Sequence, residues 1–125
     1  MIGISRIFFI AALGFAVLGM LLGLKMAMSQ DHAQMPTHAH MMVVGWLSMA
    51  VFAFFYHLFP ERARTRQAQI HCWLAIVSMV GLTIALYLLF AGNPSIEPLA
   101  AISSIGLFLS MLTFAWVAWP LLNRS

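Results

Sequence analysis

From residue 7 to residue 24 the chain reads IFFIAALGFAVLGMLLGL, with Arg6 before it, Lys25 after it and no charge between them. Three more apolar segments follow, at about 40–59, 70–91 and 99–119. Crossing the hydrocarbon of a bilayer as a helix takes roughly 20 residues, and each segment meets that length. A spanning strand needs only about 10 residues and alternates in polarity, which these segments do not do. The expected fold is therefore an all-α membrane protein, a four-helix transmembrane bundle. It forms a single domain over 1–125, with helices at about 5–28, 38–59, 68–91 and 97–121.

Composition agrees. Of the 125 residues 63% are hydrophobic and 7% charged, and the mean hydropathy is +0.97. A soluble domain carries about 25% charged residues, so this chain cannot furnish a water-facing surface. The net charge of +3 is too small to suggest nucleic acid as a partner; membrane lipid is the expected surroundings. Cys72 is the only cysteine, which rules out an intramolecular disulfide and any CxxC metal site.

The arginines suggest an orientation. Arg62, Arg64 and Arg66 lie between the second and third segments, and Arg6 and Arg124 flank the termini. The positive-inside rule then puts both termini in the cytoplasm, in what we expect to be a bacterial inner membrane. The loop from Lys25 to Thr37 would face outward. The first apolar stretch is longer than the 7–15 residues of a signal-peptide core, so it is read as a retained helix. Gly19 and Gly23 form a GxxxG pair, which lets helices approach closely in lipid. Gly106 and Ser110 form a weaker small-xxx-small pair.

Five histidines fall in or beside the second and third segments. Ionisable residues within a membrane are functional candidates by default. His57 and His71 are placed within about a turn of the inner interface, where an imidazole can reach water or headgroups, and are expected to be structural. His38 and His40 stand at the outer end of the second segment. At about 100° per residue they point some 200° apart, so one helix cannot offer both to one iron. His40 and His57 lie roughly 25 Å apart along the helix, which prevents them from sharing an iron. At the depth of His40 only His32, His38 or a second copy of His40 is available. Copies in one membrane share an orientation, so a two-fold axis along the membrane normal would bring two His40 residues together. Gly45, seven residues after His38, opens room beside the helix. That room suits a flat macrocycle and suits close helix packing equally.

The stretch HAHMMVVGW (38–46), continuing to FFYHLFPE (54–61), resembles a helix from the catalytic subunit of haem-copper oxidases and nitric oxide reductases. In that superfamily a late helix carries His-x-His, and its two histidines bind the high-spin and low-spin haems. An early helix carries a single low-spin ligand at its outer end and closes on a Tyr-x-x-Pro-like stretch. Tyr56-His57-Leu58-Phe59-Pro60 is similar to that ending, and Ile70-His71-Cys72-Trp73-Leu74 is similar to the start of the helix after it. The resemblance implies a haem b site with His40 as ligand and His38 as the other candidate. It also implies a role in electron transfer or in redox or gas sensing, with a redox partner that the sequence does not name. The superfamily subunit has about three times as many helices and further histidines around a second metal. This chain is therefore not expected to be a complete oxidase or reductase on its own. A homo-oligomer sharing a haem fits the resemblance.

Two other readings stand beside it. The segment KMAMSQDHAQMPTHAHMM (25–42) gathers Met26, Met28, Met35, Met41, Met42, His32, His38, His40 and Asp31. Thioether and imidazole suit copper, so His40, His38 and His32 form an alternative metal-ligand set. The third reading is a cofactor-free accessory subunit, with both outer histidines bonded to headgroups or loop carbonyls.

Overall fold

The structure is a computed structural model that describes residues 1–124. Four helices are long and apolar enough to cross a membrane: Gly3–Ser29, Met35–Leu58, Arg66–Phe90 and Pro94–Leu122. We call them the first to fourth helices. The protein is an all-α, four-helix integral membrane protein, with no strand among the described residues.

Local chemistry sets the helix ends. Gln30 closes the first helix in the left-handed conformation, with φ 57°, and its side-chain amide donates to Ala27 O at 2.6 Å. A carbonyl of the last turn that would otherwise lack a partner is thereby satisfied. Asp31 then accepts from the Ala33 backbone N–H and turns the chain. The second helix begins at Met35, three residues before the expected 38, because Pro36 falls in the first turn, where a missing N–H costs nothing. It ends at Leu58, and Pro60 opens a separate short helix, Pro60–Ala63. Thr65 caps the third helix by accepting from Ala68 N at 3.2 Å. The start of the first helix, the end of the fourth and the arginine loop share one end of the bundle, the terminal end. The loops after Ser29 and Phe90 share the other, the loop end.

The four helices associate as two close pairs, first with second and third with fourth. In lipid, apolar surface alone does not drive helices together, so close approach depends on small residues. The first and second helices mesh antiparallel along a ladder of glycines. A Cβ on Gly45 would fall 2.6 Å from Phe15, one on Gly19 would fall 2.7 Å from Met42, and one on Gly23 would fall 2.9 Å from His38. The third and fourth helices exchange glycine for serine. Ser103 sits in the notch at Gly81, and Ser78 sits in the notch at Gly106. Between the pairs, at the terminal end, aromatic rings of Phe8, Phe52, Tyr56 and Phe114 fill the wider space.

The second helix is not α-helical throughout. Residues Met41–Ser48 form a π-helix between α-helical flanks. The Ser48 hydroxyl donates to Val43 O, five residues back, at 3.0 Å. Thr37, Met41, Gly45 and Met49 are all buried. A spacing of four keeps one face inward across the wider turns, where a spacing near 3.6 would have drifted.

Candidate functional site

The structure places His32, His38 and His40 at the loop end, leaves His57 exposed near the terminal end and encloses His71 close by. His38 is half-buried against the first helix, and its Nδ1 lies 2.7 Å from Gly19 O. His40 is exposed, and its Nδ1 lies 2.7 Å from Pro36 O, one turn back on its own helix. A carbonyl oxygen can only accept, so in both residues Nδ1 is the donor. Each neutral ring then keeps its unprotonated lone pair on Nε2. Metal-binding histidines are held in this manner, one ring N–H tied to a carbonyl while the other nitrogen stays free to ligate. The two side chains leave the helix on different faces, as the 200° offset requires. His38 is wedged over Gly23, whereas His40 points away from the bundle.

The room beside Gly45 belongs to Phe15. Of the two uses open to that glycine, close helix packing is the one this arrangement displays. His32 lies exposed in the loop, with Nδ1 3.2 Å from Gln30 O. Among the described residues no group of three or more His, Cys, Asp or Glu side chains could hold a metal ion. The methionine-rich segment divides: Met26 and Met41 are buried packing residues, while Met28 and Met35 are exposed. Copper could therefore draw on only part of that set.

His71 departs from the sequence expectation. It does not reach the interface; it is wholly buried. Its Nδ1 lies 2.8 Å from the Tyr56 hydroxyl, which is itself only 1% exposed. The rings of Phe52, Phe8 and Phe114 surround it, with centroids at 4.5, 5.1 and 5.2 Å. Nε2 has no hydrogen-bond partner among the described residues. A buried imidazole with one satisfied nitrogen is costly, and Tyr56 offsets part of that cost. The signal was present in the sequence. His71 falls on the same stripe as Ala68, Ala75, Met79 and Leu82, all buried. The depth of His71 along the chain hid it, because depth says nothing about which face a residue takes. His57, at similar depth, is exposed and fits the expectation made for both.

No protein-family model, curated protein or solved structure matches this chain.

Proposed function

We propose that this protein binds a b-type haem at the loop end, with His40 as an axial ligand and a second copy of the chain supplying the other. One observation carries the reading. The Pro36 carbonyl holds Nδ1–H of His40, which leaves Nε2 unprotonated on an exposed side chain facing out of the bundle. The donor chemistry suits haem iron, since neutral imidazole is a common axial ligand. The surroundings suit a macrocycle held between chains. Val43 and Leu47 follow His40 along the helix as exposed apolar residues, while the space inside the pair is closed by Phe15.

Bound there between two imidazoles, haem would supply one-electron redox chemistry. The chain's own residues have simpler tasks. Pro36 O fixes the orientation of the His40 ring. His38 is a positioning residue that fastens the start of the second helix to Gly19 O. The π-helical turns begin one residue after His40, and such turns recur at functional sites. The resemblance of 38–60 to the haem-copper oxidase subunit supports the same choice of ligand.

The test is the visible spectrum of protein purified after expression with ample haem. Wild type should show sharp reduced bands of a six-coordinate haem. His40→Ala should abolish them or leave a high-spin form. A colourless wild type, or a spectrum unchanged in His40→Ala, would sink the proposal. If His38→Ala removes the haem while His40→Ala keeps it, the ligand is His38.

A further inference from the structure

We propose that a cavity at the terminal end holds the phosphate of an anionic phospholipid, with Arg64 as its anchor. The cavity has a volume of about 480 Å³ and lies between the start of the first helix, the end of the second and the arginine loop. Gly3, the first residue of one spanning helix, and Pro60, just past the end of the next, both line it. Residues at the ends of helices long enough to cross the hydrocarbon would fall at headgroup depth. The polar wall consists of His57, Arg64, Gln69 and Ser5. Arg64 is exposed and can present a planar fork of donors, which matches two oxygens of one phosphate. Gln69 adds amide N–H groups, and His57 adds a ring nitrogen. Glu61, the only acidic residue of that loop, is not on the wall.

The neighbouring groups have other partners. Arg62 donates from Nε to Val117 O at 3.0 Å, so it holds the fourth helix. The Ser5 hydroxyl donates to Ile2 O. Tyr56 forms the floor, but its hydroxyl is engaged with His71. Recognition of the charge therefore falls to Arg64, with Gln69 beside it. The apolar wall favours a lipid over a free ion: Ile2, Ile4 and Ala63 offer surface to the glycerol and the first methylenes of a chain. Basic residues at a membrane surface attract anionic lipid in general. A cavity makes a narrower claim, that one arginine matters and its neighbour does not.

The experiment is native mass spectrometry of the full chain in detergent, with phosphatidylglycerol and phosphatidylcholine of identical acyl chains. Wild type should retain phosphatidylglycerol about tenfold more tightly than phosphatidylcholine. Arg64→Gln should weaken that retention about tenfold, and Gln69→Leu by about threefold. Arg66→Gln, outside the cavity, should change it less than about twofold. Circular dichroism checks that each variant keeps its helix content. Equal loss in Arg66→Gln and Arg64→Gln would mean diffuse charge attraction and overturn the site. Equal retention of the two lipids would also overturn it. Displacement of the lipid by millimolar inorganic phosphate would reassign the cavity to a free anion.

Discussion

His40 and His71 are the same side chain on adjacent spanning helices, and the bundle treats them in opposite ways. His40 is exposed, takes its hydrogen bond from its own helix through Pro36 O, and has a free Nε2. His71 is fully buried, takes its hydrogen bond from Tyr56 on another helix, and has its Nε2 shut among aromatic rings. The first arrangement leaves a donor nitrogen open at no cost to packing. The second joins all four helices and leaves Nε2 without a partner among the described residues. An intramembrane histidine is therefore not a site until its second nitrogen is accounted for. The contrast also extends to the packing around each residue. Near His38 and His40 the helices touch through glycine notches, whereas near His71 they are held apart and bridged by rings.

The contrast yields graded expectations for stability and for haem. The largest effect on stability should come from His71→Ala. It leaves a cavity among Phe8, Phe52 and Phe114 and strips the Tyr56 hydroxyl of its partner, at a cost on the order of 3–5 kcal/mol. Thermal unfolding in detergent would measure it. The haem bands of the folded fraction should survive, and their loss would join two regions that we hold to be separate. Tyr56→Phe keeps the ring but leaves Nδ1 of His71 bare, and should cost about 1–3 kcal/mol. An unchanged melting curve for Tyr56→Phe would show that the pair contributes little.

Gly45→Ala should cost about 1–3 kcal/mol, since its new Cβ would fall 2.6 Å from the Phe15 ring. Pairing it with Phe15→Ala should recover part of that loss. A purely additive double variant would mean the two residues do not press on one another. Ser48→Ala removes the hydroxyl bond to Val43 O and should cost about 0.5–1.5 kcal/mol. The smallest effect on stability belongs to His40→Ala, which should remove the haem bands while its melting midpoint matches that of wild type prepared without haem, so that loss of the bound group is not counted. A destabilised His40→Ala would make this histidine a second structural residue and collapse the contrast.

Much of this was legible in the chain. Four long charge-free stretches dictate four spanning helices, because only a helix satisfies its own backbone in hydrocarbon. Gly19 and Gly23 mark a close contact, and His38 and His40 must point apart because helix geometry leaves no choice. The sequence could not tell that Gly45 receives Phe15, because a glycine opens space without saying what enters it. Nor could it tell that residues 41–48 widen into π-turns. A period of 3.6 is assumed when a helix is read from its pattern, and this departure shows only once Thr37, Met41, Gly45 and Met49 are seen to share one buried face. The enclosure of His71 was likewise a tertiary decision. Position along the chain sets depth in the membrane, but rotation about the helix axis sets the neighbours. That rotation is fixed by how Phe8, Phe52, Tyr56 and Phe114, from three other helices, close around a single imidazole.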